Sequence, residues 1–243
     1  IFPFEERSVP LSDVPGEWTS PLQPFPLLPA PYDRQGFQEE DLVDFTPEIA
    51  AIAREVASDY RFSTLFTPPS RYQDPSDDTW GTLHLPHATG GSNWEGAAYD
   101  PETGMVYIPS ITLSYVLALD SLPESSTMRY VYGGAGRVPT VDGLPLVKPP
   151  YGRITAIDMV SGEHAWMQAN GDTPEDIKNH PLLEGVVLPP TGKATHSTLL
   201  LTKTLLFQGE GQGGGQGLWV RDKATGEAIS HIDLPGTVSG TWY

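Results

Sequence analysis

The sequence predicts an all-β fold built from short antiparallel strands. Glycine and proline together make up 50 of the 243 residues, and both residue types interrupt helices. From about residue 80, short β-prone runs alternate with turn residues, and the runs lie at 105–108, 115–119, 154–157, 199–201, 204–207 and 217–220. The 24 aromatic residues suffice for a sizeable core. Strands of this length in meanders are typical of β-sandwiches and β-propellers.

Residues 1–35 predict an extended strap that lies over a larger body. Eight prolines exclude a helix or a central strand there. The same residues include several aromatic side chains, among them Phe2, Trp18 and Phe25, which a solvated linker does not need. A disordered tail is the alternative interpretation of this composition.

The acidic segment 36–79 contains the only substantial helix that we expect. Thr46 is a typical N-cap, Pro47 suits the first helical position, and Glu48 suits the first turn. Apolar residues then recur at helical spacing from Ile49 to Val56. We therefore predict a helix over residues 47–58.

A weak repeat of the form Asp-x-x-Thr/Ser-Gly occurs three times, beginning at Asp100, Asp158 and Asp222. Asp and Ser/Thr side chains cap tight turns through bonds to the backbone, and glycine supplies the positive φ. The copies lie 58 and 64 residues apart, which is roughly one four-stranded propeller blade plus an insertion. The repeat therefore predicts three hairpins.

Charge and composition exclude several classes of function. The net charge of −17 repels phosphate backbones, so we expect no nucleic-acid partner. The absence of cysteine excludes disulfides, thiolate metal sites and thiol catalysis. No apolar run is long enough for a transmembrane helix. The chain begins at Ile1 without a targeting signal, so we expect a processed product or a piece of a longer protein.

Two further motifs predict structure rather than chemistry. His84 and His87 are separated by a Leu-Pro pair that excludes a helix, and no acidic ligand lies at metal spacing, so we expect a surface loop and no metal site. Residues 209–217 contain six glycines, but the Lys-Ser/Thr pair of a phosphate loop does not follow, so they predict a flexible connection between strands. No acid–base pair can be assigned from the residues, and the catalytic residues are unknown.

The stretch 90–107 carries the most specific pattern in the chain. It reads Gly-Gly-Ser-Asn-Trp, then Tyr-Asp-Pro-Glu-Thr-Gly, then Met-Val-Tyr. From the residues alone, Asn93 predicts a turn cap before a strand, and Trp94 predicts a core side chain. The stretch resembles a segment of the dehydrogenases that depend on pyrroloquinoline quinone (PQQ). Shorter matches run nearly from end to end, and the similarity is closest to the glucose-dehydrogenase-like branch and to the C-terminal part of its longer chains.

This resemblance implies that residues 1–243 are the C-terminal portion of an eight-bladed β-propeller, about half of the ring. The portion would consist of the Pro-rich strap 1–35, an acidic helical insertion at 36–79 and blades over 80–243. The second repeat continues to Trp166, which resembles the tryptophan-docking motif in which the Trp packs between adjacent blades. Ser230 occupies the corresponding position of the third repeat.

The resemblance also implies the activity, namely two-electron oxidation of a sugar or alcohol hydroxyl with hydride transfer to the quinone of PQQ. It assigns cofactor binding at the quinone side to Asn93 and places His196 near another cofactor-side position. Trp94 is a second cofactor-binding candidate, because an aromatic face suits the flat tricyclic cofactor. The catalytic Asp and the calcium ligands of the family precede Ile1, so no residue of this chain is assigned to either role.

The partners implied are the preceding portion of the same propeller and an electron acceptor, either a quinone or a cytochrome. The location implied is the bacterial periplasm, with membrane association through an N-terminal part outside this chain. Two alternatives stay open: a propeller without catalysis that serves as a binding or assembly scaffold, and a minimal protein whose half-ring closes by homodimerisation.

Overall fold

A computed structural model of the chain describes residues 2–73, 79–133 and 138–240. Their regular secondary structure is mostly strand with few helices, which confirms the all-β prediction. The strands, in chain order, are β1 (Phe4–Ser8), β2 (Leu22–Pro26), β3 (Ser70–Arg71), β4 (Thr82–His84), β5 (Ala98–Asp100), β6 (Met105–Ile111), β7 (Tyr115–Ser121), β8 (Tyr130–Gly133), β9 (Thr140–Val141), β10 (Leu144–Pro145), β11 (Gly152–Asp158), β12 (His164–Ala169), β13 (His196–Leu201), β14 (Leu205–Gln212), β15 (Gly217–Asp222) and β16 (Ala228–Asp233). The α-helices are α1 (Pro47–Ala57) and the single turn α2 (Glu175–Lys178).

Two four-stranded antiparallel sheets contain most of the predicted runs. Sheet I has the order β5-β6-β11-β12, and sheet II is the meander β13-β14-β15-β16. A third sheet has the order β3-β7-β4 with β8 paired to β7, and its β3–β7 pair is parallel. Four-stranded antiparallel sheets are the units of propellers, while the count of eight blades and the half-ring stay predictions.

The three predicted hairpin turns form as the repeat requires. Asp100 accepts bonds from Glu102 N–H at 3.0 Å and from the Thr103 hydroxyl at 2.7 Å. Asp158 and Asp222 make the equivalent bonds to backbone N–H groups two residues ahead, both at 2.8 Å. The glycine that ends each repeat has a φ between 74° and 79°. Each turn is therefore determined by its own side chains.

Sheets I and II meet through Trp166 and the third hairpin. The indole N–H of Trp166 donates to the Lys223 carbonyl at 3.1 Å, and its ring lies against Gly226. A small core of buried Tyr107, Ile154, Ala156 and Leu206 fills the space between the sheets. Trp166 thus connects two sheets as predicted, but it is half-buried rather than buried, because β12 is the outer strand of sheet I.

A buried ion pair crosses the same interface. The ammonium of Lys223 lies 2.6 Å from Asp100 Oδ2, and both side chains are largely shielded from solvent. Hydrogen bonds from Lys223 and Thr103 lower the pKa of Asp100 from its ordinary value of 3.8 to about 2. The repeat predicts only the turn-capping role of Asp100. Its ion pair with Lys223 of the neighbouring sheet is seen only in the structure.

We expect Asp100→Asn to lower the melting temperature above pH 4 and to have little effect near pH 2. Because the folded-state pKa is depressed, the charged form stabilises the fold above the unfolded pKa of 3.8, and this contribution is lost as the pH falls toward about 2. Thermal unfolding of wild type and variant between pH 2 and pH 7 measures the difference. A difference that stays constant over this range would contradict the assignment.

Helix α1 forms because its signals are local, and its predicted bounds differ from the observed ones by one residue. The Thr46 hydroxyl oxygen accepts a bond from Ile49 N–H at 3.2 Å, and Pro47 occupies the first turn. The buried face of α1 packs into the larger core with residues of β4, β7, β9 and β10. Across the described residues, no helix is both long and apolar enough to cross a bilayer.

Residues 2–35 form an isolated hairpin of β1 and β2 followed by irregular chain. Two prolines lie in β2, which a strand with a single partner tolerates. Several polar contacts attach the segment to the body, and three of them lie before residue 31 of the segment. Asp13 pairs with Arg61 at 2.8 Å, the Tyr130 hydroxyl donates to the Pro15 carbonyl at 2.9 Å, and the His164 ring lies 2.8 Å from the Ala30 carbonyl.

Candidate cofactor site

The loop of residues 90–97 joins β4 to β5 and is attached to β6. Ile111 N–H donates to the Gly91 carbonyl at 2.8 Å, and the Ser92 hydroxyl donates to the Pro109 carbonyl at 2.7 Å. Gly90, at the start of the loop, has a φ of 81°, which a residue with a side chain rarely adopts. The loop therefore has a defined position at the end of sheet I.

Asn93 lies at the exposed tip of this loop. Its side-chain oxygen accepts a bond from Trp94 N–H at 3.0 Å, and its carbonyl accepts one from Gly96 N–H at 3.1 Å. The turn-capping role predicted from the residues is thus present. Within the described part of the chain, the amide nitrogen of Asn93 has no hydrogen-bond partner, so it can donate to a ligand.

Trp94 is not a core residue, so the interpretation drawn from its residue type is wrong. Its side chain is 91% exposed, because no element in the described part of the chain covers it. An indole ring in this position can stack on a flat aromatic ligand.

Three side chains join Asn93 around one cleft, and they come from three elements. Glu95 belongs to the loop, Ser110 to β6 and His196 to the start of β13. Glu95 Oε2 lies 3.3 Å from His196 Nδ1. The Ser110 hydroxyl is buried and has no hydrogen-bond partner among the described residues. The cleft therefore combines a free amide, a buried hydroxyl and an imidazole next to a carboxylate.

From the sequence, His196 is expected only near a cofactor-side position, and Glu95 and Ser110 receive no role. The structure brings His196 to the same cleft as Asn93, although 103 residues separate them in the chain. Glu95 follows the Asn-Trp pair directly, so its proximity to Asn93 was available from the sequence. Its pairing with His196 was not, because it depends on how sheet II packs against sheet I.

The histidine pair at positions 84 and 87 does not form a simple surface loop. His84 ends β4 between the buried residues Leu83 and Leu85, and burial lowers its pKa. The His87 ring packs edge-on against Tyr115 at 4.9 Å. The surface-loop prediction is therefore wrong for His84, because Leu83 and Leu85 on either side of it lie in the larger core. Within residues 2–73, 79–133 and 138–240, no group of three His, Asp or Glu side chains could hold a metal ion.

The glycine-rich segment 209–217 is a strand, a turn and the start of another strand. Buried Glu210 holds it, with Oε2 2.7 Å from both the Lys193 ammonium and Gly215 N–H. The Trp219 indole donates to the other oxygen at 3.2 Å. These bonds lower the pKa of Glu210 against the opposing effect of burial, which is the larger single influence. The segment serves as a hairpin at the end of sheet II.

Comparison with known proteins identifies the family. Residues 1–242 match the family model described as the PQQ glucose/ethanol/alcohol dehydrogenase β-propeller domain. A quinate/shikimate dehydrogenase (quinone) of Acinetobacter baylyi is 27% identical over 66% of this chain and 21% of its own length. The glycerol dehydrogenase large subunit of Gluconobacter oxydans is 29% identical over 69% and 25%. The quinoprotein glucose dehydrogenase of Escherichia coli is 25% identical over 74% and 24%.

The chain thus matches about a fifth to a quarter of the length of these relatives. Their names give quinate or shikimate, glycerol and glucose as substrates, so glucose is one of several. The family-model match covers nearly the whole chain and agrees with the strand-rich architecture and with the motif at residues 90–107. The chain belongs to the PQQ-dependent dehydrogenase β-propeller family.

Proposed function

We propose that this chain is the C-terminal section of a PQQ-dependent dehydrogenase that oxidises a hydroxyl group of a sugar, polyol or other alcohol. The observation that carries the proposal is the loop of residues 90–97. It presents a side-chain amide at Asn93 that has no partner among the described residues and an exposed indole at Trp94, within a motif that resembles one of the family.

The exposed side chains of the loop suit PQQ, which is flat and rich in oxygen, while the cleft beside them has room for little more than one water molecule. The Asn93 amide can donate to a quinone oxygen, and a donor at this position favours the form in which that oxygen gains charge. Trp94 offers an aromatic face, and the unpartnered Ser110 hydroxyl offers a further donor. When bound, PQQ supplies the two-electron acceptor chemistry that amino-acid side chains lack.

Calcium does not fit the residues described here. Among those residues, no three carboxylates or histidines gather at a metal-binding distance. We therefore derive no step through calcium in this chain. The proposal places its ligands, and the Asp base that accepts the hydroxyl proton, in the preceding portion of the same propeller.

The substrates named for the relatives share hydroxyl groups on small, polar molecules. We extend this chemical class to the present protein, without choosing one member. From the family we also propose that the electron acceptor of this protein is a quinone or a cytochrome, and that the protein is located in the bacterial periplasm.

The test is dye reduction by the complete protein that contains this sequence. We expect reduction of an artificial electron acceptor that depends on added PQQ and calcium, with glucose, glycerol and quinate offered in turn. Activity with one of them and none without PQQ would support the proposal. A folded protein that neither binds PQQ nor reduces the dye would contradict it, and would favour the non-catalytic scaffold instead.

A further inference from the structure

A buried ion pair lies directly beneath the loop of residues 90–97. The Arg153 guanidinium, on β11, is 2.6 Å from Asp33 Oδ1, and each side chain is only 4% exposed. The same oxygen accepts bonds from the Thr112 hydroxyl and from Arg34 N–H, both at 2.8 Å. One carboxylate oxygen thus joins the N-terminal segment to β11 and to Thr112, the residue that follows β6.

The second oxygen of Asp33 faces the loop. Asp33 Oδ2 is buried and has no hydrogen-bond partner among the described residues. A Cβ atom added to Gly91 would overlap this oxygen, so the backbone of the loop rests against the carboxylate. Gly91 is two residues before Asn93, and its carbonyl is bonded to Ile111 N–H. The loop is therefore held between Asp33 on one side and β6 on the other.

The neighbouring arginine keeps Asp33 in place. Arg34 donates to the carbonyls of Lys148 and Pro149 at 2.6 and 2.8 Å, and its Nε lies 3.1 Å from Asp41. The backbone at position 33 is consequently attached to the chain that leads into β11. Movement of Asp33 would require these bonds to break.

Stability alone is a poor explanation for this pair. The cost of removing two charges from water often equals or exceeds their attraction in a protein interior. Here the cost is evident, because burial lowers the pKa of Arg153, and its Nε lacks a partner within the described residues. Apolar side chains of similar size would fill the same space. A charged pair whose free oxygen touches the loop is better explained by control of the position of that loop.

We propose that Asp33 and Arg153 are positioning residues that set the location of the loop of residues 90–97, and so of Asn93, for cofactor binding. This inference rests on the proposed function for the cofactor, but its structural part does not. Neither residue touches the cleft that contains Asn93 and His196. Their effect is transmitted through the backbone at Gly91.

The first measurement uses hydrogen exchange in the complete protein without PQQ. In Asp33→Asn, the side-chain volume and one oxygen acceptor are kept, while the charge that holds Arg153 is lost. Gly96 N–H is bonded within the loop, to the Asn93 carbonyl, and Ile111 N–H is bonded to the Gly91 carbonyl of the loop. We expect both amides to exchange about five- to tenfold faster in the variant. Unchanged exchange at both amides would overturn the inference, whatever the protein binds.

The second measurement is the affinity for PQQ. Asp33→Asn should weaken binding about five- to tenfold, and adding it to Asn93→Ala should cause little further loss, because both changes act on the same contact. Asp100→Asn is the matched control: it breaks another buried ion pair of sheet I, and should lower the melting temperature without changing the affinity.

The outcomes separate the inference from the function on which it rests. A wild-type protein that binds no PQQ overturns both. Wild-type affinity in folded Asp33→Asn, or full additivity with Asn93→Ala, overturns the inference alone. If Asp33→Asn does not fold, Arg153→Gln, which removes the positive charge that pairs with Asp33, is measured in its place and is expected to show the same two effects.

Discussion

Asn93→Ala is expected to weaken binding of PQQ to the complete protein by about 1–3 kcal/mol, the usual cost of leaving a polar partner unsatisfied. The reason lies in the loop, where the amide nitrogen of Asn93 has no partner within the described residues and faces outward from the tip. Titration with PQQ, followed by calorimetry or by cofactor absorbance, measures the change. The rate of substrate oxidation should fall in parallel, since a donor to the quinone also acts during reduction.

The matched control is Asn179→Ala. Asn179 is also an exposed asparagine, but its amide is bonded to the carbonyl of Glu175 at 2.9 Å, next to the short helix α2. Removal of this amide should leave the affinity for PQQ unchanged. If Asn93→Ala also binds PQQ with wild-type affinity, Asn93 is a turn cap only, and the cofactor role implied by the family motif does not apply to it.

Gly211→Ala is expected to lower the free energy of unfolding by about 3 kcal/mol, which combines backbone strain with a steric overlap. Gly211 has a φ of 74°, and a Cβ atom there would overlap the carbonyl oxygen of His196 on the adjacent strand. The pairing of β13 with β14 shifts register at this point, between His196 and Thr198. A fall of about 10 °C in melting temperature follows for a chain of this size.

Gly236→Ala serves as the control, because an added Cβ at this position meets no atom within 4 Å and its φ is not positive. Its melting temperature should equal that of the wild type. The strand bearing His196 would also have to move in Gly211→Ala, so any folded fraction should bind PQQ more weakly. An unchanged melting temperature for Gly211→Ala would show that β14 does not approach His196 this closely.

The features that the sequence predicts correctly depend on residues that are close together in the chain. The cap at Thr46 and the proline after it begin α1 without help from distant residues. The Asp-x-x-Thr/Ser-Gly turns form because the bonds of each Asp reach only two or three residues ahead. The predicted burial of Trp94 and the predicted exposure of His84 are both wrong, because burial depends on which elements cover a residue.

The sequence by itself determined the all-β class, the hairpin turns, helix α1 and membership of the family, since each rests on a local pattern or on a contiguous motif. Only the tertiary structure decided that His196 meets Glu95 in the cleft of Asn93, and that Asp33 pairs with Arg153 beneath Gly91. These pairs are separated by 101 and 120 residues in the chain. A contact of that span depends on the packing of whole sheets and on the path of the N-terminal segment, and no local pattern of residues specifies either.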